Sequence, residues 1–410
     1  MNSSKDLSKK GRTDISEAAK GDDAPIITLV NEVLVQCKRT GASDIHIEPY
    51  ENFIRIRLRI DGSLREIKRP SGDMKGALIS RIKIMAKLNI AESRIPQDGA
   101  INITIDNQPI DFRVSSCPTV FGEKIVMRIL DKSNLQVDMT QLGFDIKQLT
   151  EFKNAIAKPN GIVLVTGPTG SGKTTTLYSA IQELNKEDLN ITTSEDPVEY
   201  SLSGVNQVQM KPDIGFNFAA ALRSFLRQDP DVIMVGEIRD LETAEIAIKA
   251  SLTGHMVLST LHTNSATDTI SRLLNMGAAP FNLVSSLNCI TAQRLMKKIC
   301  ERCKEEDPDA TPETLISLGI PEKFSTKVKA MRGRGCDHCG NSGNKGRVAI
   351  HEVLVINDDI REAILKGIPT DQMKKIAMKN GMNSLRQSAL NNMAKGITSM
   401  AEVVRTTDDK

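Results

Sequence analysis

The sequence predicts two unlike domains, a small α+β domain followed by a larger α/β domain built on a buried parallel sheet. Residues 54–60 alternate apolar and basic side chains and end at Asp61-Gly62, the pattern of an antiparallel hairpin with one buried face. Beyond residue 144 the strands read instead as short apolar runs at 162–165, 191–194, 232–235 and 257–260, which suit parallel strands covered on both faces. The first of these runs leads into a glycine-rich loop and then a helical stretch, the order of a βα unit.

A chain of 410 residues has room for two or three domains. Residues 1–22, rich in Ser, Lys, Asp and Gly, are expected to be a disordered lead-in. The small domain is assigned to residues 23–132. It opens on Ile27, Val30, Val33, Leu34 and Cys37, spaced as one face of a helix that Gly41 can end. In the next strand Ile54, Ile56, Leu58 and Ile60 face one way and Arg55, Arg57 and Arg59 the other, giving a buried face and a basic face. Leu78, Ile82, Met85 and Leu88 mark a second helix, residues 101–105 and 110–114 a second hairpin around Asp106-Asn107, and residues 124–130 a further strand. Residues 133–143 are expected to be a linker. Residues 144–410 form the α/β domain, including a cysteine module at 297–346 and a helical C-terminal region at 347–410.

Composition narrows the function. Fifty-four Lys and Arg against 51 Asp and Glu leave little net charge for neutralising a phosphate backbone. Aromatics are 3% with no Trp, so platforms for stacking single strands are scarce, and no direct nucleic-acid contact is expected. No apolar run approaches the roughly 18–20 residues that span a bilayer. A cytoplasmic protein without a transmembrane segment is expected, one that reaches a membrane through a partner.

Gly167, Pro168, Thr169, Gly170, Ser171, Gly172, Lys173 and Thr174 spell a complete G-x-x-x-x-G-K-[ST] phosphate loop, with Thr175 in the helix behind it. Its glycines let successive N–H groups turn inward as an anion nest at a positive helix end. Lys173 can reach the β- and γ-phosphates of ATP, and the Thr174 hydroxyl can ligate Mg²⁺. Acids are needed for the metal and the attacking water. Asp231-Val-Ile-Met-Val-Gly236-Glu237 supplies one on a buried strand, with Gly236 standing where an aspartate would bind magnesium. Ser194-Glu195-Asp196-Pro-Val-Glu199 sets three carboxylates at another strand end, where they repel one another unless a cation is near. Glu195 is therefore placed at the metal or water site. Glu199 and Glu237 both stand as general base, Glu199 preferred. His255 and His262 flank the 257–260 strand near its opposite ends and are read as γ-phosphate sensors, with buried structural histidines as the alternative.

These motifs, in this order, resemble the secretion ATPase superfamily that powers type II secretion and type IV pili. The likeness runs from about Asp22 to the C-terminus. Beyond the phosphate loop and the acidic segments it rests on Gly41-Ala-Ser-Asp-Ile-His-Ile-Glu-Pro, Arg94-Ile-Pro-Gln-Asp-Gly99, Leu226-Arg-Gln-Asp-Pro-Asp231, Gly236-Glu-Ile-Arg-Asp240 and Thr253-Gly-His…Leu-His262-Thr-Asn. The resemblance implies a RecA-like P-loop ATPase domain behind a PAS-like small domain, and a homo-hexamer. ATP would lie between the two domains and drive their rotation against an inner-membrane platform protein, at the cytoplasmic face of that membrane. Arg113 and Arg128 match the arginines that such ATPases extend toward phosphate; Arg223, Arg227 and Arg239, near the acidic motifs, are second-tier. Ser116-Cys-Pro-Thr-Val-Phe-Gly-Glu-Lys and Gly277-Ala-Ala-Pro-Phe-Asn282 look closer to pilus assembly than to type II secretion, which is the alternative. Members often carry a further N-terminal docking domain, which is not expected in a sequence beginning this close to the first motif. From a different class, a nucleic-acid translocase draws support from the basic strand and from residues 5–12. A nucleotide-sensing scaffold without turnover is a third reading.

Cys300-Glu-Arg-Cys303 and Cys336-Asp-His-Cys339 are two CxxC knuckles, each able to set two thiolates on one turn. Together they make a closed tetrahedral S₄ site for structural Zn²⁺. The stretch between them must form an excursion, and Gly340, Gly343 and Gly346 suit the tight turns beside the second knuckle. Cys37, Cys117 and Cys289 read as small core residues.

Overall fold

The computed structural model describes residues 13–15, 24–130 and 138–407. The chain divides into two compact units, Met1–Leu135 and Gln136–Lys410. Most of the expected lead-in, and the first part of the expected linker, lie outside the described residues.

The first unit is a seven-stranded sheet in the order Thr13–Asp14, Gln97–Ile105, Gln108–Thr119, Gly122–Leu130, Asp44–Pro49, Ile54–Ile60, Ser63–Lys68. Its neighbours pair antiparallel except at the first edge, where Thr13 and Asp14 run parallel to Ile103 and Thr104. That edge pairing, with Ile15 buried beside it, corrects the expectation that residues 1–22 are disordered throughout. The apolar positions of the strands gather on one face with the Ala24–Thr40 and Lys75–Met85 helices in a single core. Asp106 and Asn107, both at positive φ (50° and 59°), make the tight turn their residue types favour.

The opposite face is not simply basic. Arg113, Arg128, Asp44 and Arg59 stand side by side on four neighbouring strands. Asp44 holds Arg128 at 2.9 Å and Arg59 at 3.6 Å. Two rows along, Glu48 holds Arg57 at 2.8 Å, Arg55 at 3.1 Å and Lys124 at 3.4 Å. Burial alone would raise the Glu48 carboxyl; the hydrogen bonds from Arg57 and Arg55 bring it down to about 2. The acids that balance this face lie on the Asp44–Pro49 strand, within a motif quoted above but not read as a strand.

The second unit is a seven-stranded sheet ordered Asn206–Gln209, Ile191–Glu195, Val232–Val235, Met256–Leu261, Gly161–Thr166, Leu287–Ile299, Asn344–Val355. All pairs are parallel except the last. Residues 347–355, expected to begin a helical region, belong instead to that antiparallel edge strand; the helices Asp358–Leu365, Thr370–Lys379, Leu385–Ala394 and Met400–Thr407 follow it. The later part of the expected linker is packed, not loose: Asp138 caps a short Met139–Gln141 turn, and Met139 and Leu142 are buried in this unit. Leu142 accepts a 3.0 Å hydrogen bond from the buried His351 ring, whose stacking on Phe144 continues to Phe152. The excursion between the knuckles is no separate module either, because Leu315, Leu318, Ile320 and Ala330 join the unit's main core.

Candidate functional site

The site forms at the carboxyl ends of the second unit's parallel strands, where open α/β sheets bind ligands. The fully buried Gly161–Thr166 strand ends at Gly167, and the loop returns into the Lys173–Leu184 helix. Gly167 (φ 145°) and Gly172 (φ 91°) hold conformations that an L side chain rarely adopts. Space makes the same demand: a Cβ on Gly167 would lie 2.3 Å from the Gln293 carbonyl oxygen, and one on Gly172 would lie 2.8 Å from its side-chain nitrogen.

Lys173 folds back over the loop, its Nζ donating to the carbonyls of Gly167 (2.8 Å) and Pro168 (3.1 Å). Burial holds this ammonium below the usual lysine range, while the negative charge of Glu237 acts the other way. A partly desolvated cation beside a helix N-terminus favours a polyanion strongly. The Ser171 hydroxyl is buried without a hydrogen-bond partner, and Thr174 is exposed in the first turn. These groups fit a bound phosphate and its magnesium ion.

Glu237 follows the buried Val232–Val235 strand. Its carboxylate pairs with Arg239 and lies 3.5 Å from His262 Nε2. Burial and then the Lys173 charge lower the His262 pKa, so its imidazole is neutral near pH 7. Lys173, Glu237, His262 and Arg239 thus interact as one cluster. Gly236 has a reason to be glycine: its N–H donates to Ser194 (2.8 Å), and a Cβ would stand 3.1 Å from that same carbonyl oxygen.

Several expected site residues lie elsewhere. Glu195 is corrected to a structural role, since its buried carboxyl turns inward to Tyr178 Oη, Thr193 Oγ1 (2.5 Å) and Gln207 Nε2 (3.1 Å). His255 is also corrected. It precedes the Met256–Leu261 strand, its carbonyl accepts from Gly161 N, and its ring bonds Ala250 O at 2.8 Å. That is the amino end of the sheet, about five residues and some 17 Å from the phosphate loop. Arg223 pairs with Glu242 and Arg227 donates to the Arg223 carbonyl at 2.8 Å, so neither has a partner in the loop. Glu199 lies beside Tyr178, its N–H 3.4 Å from the phenol oxygen. Of the acids, it is Glu237 that acts on Lys173. Arg113 and Arg128 belong to the first unit, side by side as described.

Three groups went unread in the sequence. Tyr178 and Gln293 are both buried, but each stands among polar residues in the sequence, Tyr178 just behind three threonines and Gln293 just before an arginine, so neither announces its burial. The third is a hydroxyl chain, Thr166–Thr263–Thr269, with Oγ1 separations of 2.6 Å, which ties the strand beneath the loop to the His262 segment. Replacing Tyr178 with Phe should leave the buried Glu195 carboxyl short of a donor and cost about 1–3 kcal/mol. Urea unfolding of the two proteins measures it.

The thiols of Cys300, Cys303, Cys336 and Cys339 all lie within 4.8 Å of one another. Sulfur separations are 3.9 Å for Cys300–Cys336 and Cys303–Cys339 and 3.8 Å for Cys336–Cys339. A disulfide needs about 2.05 Å, whereas a tetrahedron with metal–sulfur bonds of about 2.3 Å has edges of about 3.8 Å. Burial pushes Cys303 up to about 12. At Cys339 burial is opposed and outweighed by N–H donors from Cys336 and Gly343, which hold the thiol down to about 6. Four thiolates at this spacing require a cation, so the residues fit a tetrahedral ion.

Residues 19–405 match the model of the type II/IV secretion system protein family. A type IV pilus assembly ATPase PilB of Myxococcus xanthus is 54% identical over 98% of this chain and 71% of its own. A type II secretion system protein E of Aeromonas hydrophila is 47% identical over 94% of this chain and 76% of its own. Among solved structures, the pilus retraction motor PilT with bound ADP superposes with a TM-score of 0.62 at 27% identity, covering 92% of this chain and 96% of that one. The Legionella pneumophila ATPase DotB shares the fold, with a TM-score of 0.69 at 24% identity over 92% of this chain and 94% of its own.

Proposed function

The chain belongs to the type II/IV secretion system protein family and is an ATPase, and from that premise we propose that it is the motor that extends a type IV pilus. The observation carrying the ATPase chemistry is the meeting of Lys173, Glu237, His262 and Arg239 at the mouth of the phosphate loop. The pilus assignment rests on identity: pilus assembly ATPases of four organisms match at 46–54% and type II secretion ATPases at 46–47%, so the values above that shared range belong to pilus assembly.

In this reading loop amides and Lys173 bind the β- and γ-phosphates, and Ser171 and Thr174 offer hydroxyls to phosphate and metal. Magnesium, when bound, neutralises charge on the transferring phosphoryl group. Glu237 orients the attacking water and takes its proton, while neutral His262 hydrogen-bonds at the γ-position. Arg113 and Arg128 supply guanidinium charge to a loose, highly anionic transition state. The 2.9 Å pair with Asp44 restrains the Arg128 side chain before any nucleotide arrives, which limits the entropy it has left to lose. The antiparallel sheet covered by helices on one face supports a PAS-like assignment for the first unit. Zn²⁺ in the cysteine tetrad would supply cross-linking and no open coordination position. The motor is proposed to act as a homo-hexamer at the cytoplasmic face of the inner membrane, against a platform protein. Among the described residues no helix is long and apolar enough to cross a membrane.

Phosphate release by the purified chain tests the reading. Arg113→Ala and Arg128→Ala should each turn over about a thousandfold more slowly while still binding nucleotide. DNA should not stimulate the parent; salt-sensitive DNA stimulation would favour a translocase instead. Grafting the chain into the matching region of the Myxococcus xanthus relative should restore pili to a strain lacking that protein. A graft restoring only type II secretion in the equivalent experiment would move the assignment to the pseudopilus.

A further inference from the structure

We propose that Gln293 is a positioning residue of the phosphate loop, aiming the Gly172 amide at bound phosphate and locking loop to helix. This rests on the reading of that loop as the nucleotide site. Gln293 lies on the Leu287–Ile299 strand, directly beyond the Gly161–Thr166 strand, where Ala292 is the register partner of Thr166. Its side chain is 2% exposed and makes two contacts at once. Nε2 donates to the Ser171 carbonyl at 2.7 Å, and Oε1 accepts from the Thr176 hydroxyl at 2.7 Å. The Gln293 main chain meanwhile fills the space in front of Gly167, and its side-chain nitrogen the space beside Gly172.

The consequence follows from peptide geometry. In a planar trans peptide the carbonyl of one residue and the N–H of the next point in opposite directions. Drawing the Ser171 oxygen toward Gln293 therefore turns the Gly172 N–H away from the strand. Glycine at 172 leaves that peptide soft, so something outside the loop must hold its orientation. The bond to Thr176, one turn into the Lys173–Leu184 helix, fixes the same amide plane relative to the helix N-terminus. The loop's shape is thus set from the neighbouring strand before nucleotide arrives, which lowers the ordering cost of binding.

Gln293→Met keeps the bulk and removes both hydrogen bonds. Binding of fluorescent mant-ADP with Mg²⁺ to the full chain should weaken about tenfold, the scale of one or two neutral hydrogen bonds in a dry site. Thr176→Val removes the second bond alone and should weaken it less. The double variant should bind no more weakly than Gln293→Met, because the two groups act through one side chain. Gln293→Glu, which keeps the acceptor for Thr176 but sets an oxygen against the Ser171 carbonyl, should bind at least tenfold more weakly; it decides the matter if Gln293→Met does not fold. A merely structural role would lower the melting temperature of the nucleotide-free protein and leave the Kd within twofold, and that result overturns the inference. A parent chain that fails to bind mant-ADP would overturn the nucleotide reading itself, whereas normal parent binding with an unaffected Gln293→Met overturns the role of Gln293 alone.

Discussion

Replacing Glu237 by glutamine should reduce kcat for ATP by about 10³ while changing ADP affinity less than about threefold. The substitution preserves shape, so the buried strand and Gly236 turn that carry the side chain should be undisturbed. What it removes is a carboxylate adjoining Lys173, His262 and Arg239. An amide cannot accept the proton of an attacking water, yet it imposes no repulsion on a polyphosphate already held by Lys173. A loss confined to kcat is the mark of an interaction made in the transition state alone. Glu199→Gln provides the contrast. Its segment leans on Tyr178, and the acid acting on Lys173 is Glu237. Single-turnover phosphate release in the two variants separates them. A silent Glu237→Gln beside a dead Glu199→Gln would return the base to Glu199.

Motif spacing alone located the phosphate loop, its acidic strand and both cysteine knuckles, because each needs particular residue types at fixed offsets. Apolar runs likewise exposed four parallel strands, since strands buried on both faces have no other signature. What stayed hidden is polar but buried. The Leu287–Ile299 strand carries Asn288, Gln293, Arg294 and two lysines, so its pattern reads as surface, although Gln293 is buried against the loop. The Asn344–Val355 strand fails in the same way, through His351 and Glu352, each fully buried by partners remote in sequence. Carboxylates were equally opaque: Glu195 and Glu199 sit four residues apart, but only tertiary packing turns Glu195 inward to Tyr178. The basic face of the first unit misled for the converse reason, its neutralising acids being on a different strand.

Removing the zinc proposed for the cysteine tetrad should unfold more than a local loop. Structural zinc contributes on the order of 10 kcal/mol to small domains, and here the tetrad is sewn into the ATPase unit on three sides. Cys300 continues the Leu287–Ile299 strand, which bears Gln293, and its N–H donates to Gly343 O at 2.9 Å. Arg334 N donates to Cys303 O at 3.0 Å, a second bond between the two knuckles, and Gly333 and Gly343, on either side of the second knuckle, face each other so closely that a Cβ on either would meet the other's carbonyl oxygen at 2.0–2.2 Å. Just before Cys300, Ile299 donates to Ile397 O at 2.9 Å and Lys297 to Glu402 Oε1 at 2.8 Å, which ties the last helix and the turn leading into it to the same strand. The excursion between the knuckles sends Leu315 and Leu318 into the main core. Without the cation no bond joins the four sulfurs, so the knuckles would splay, the strand end would fray and the terminal helix would lose its anchor. The parent should contain one zinc per chain by atomic absorption. Cys339→Ser, or prolonged chelation, should lower the melting temperature by at least about 10 °C and should weaken mant-ADP binding as the strand carrying Gln293 loosens. A chelated protein that keeps its melting temperature and its nucleotide affinity would show that the tetrad is an appendage, with no part in holding the site together.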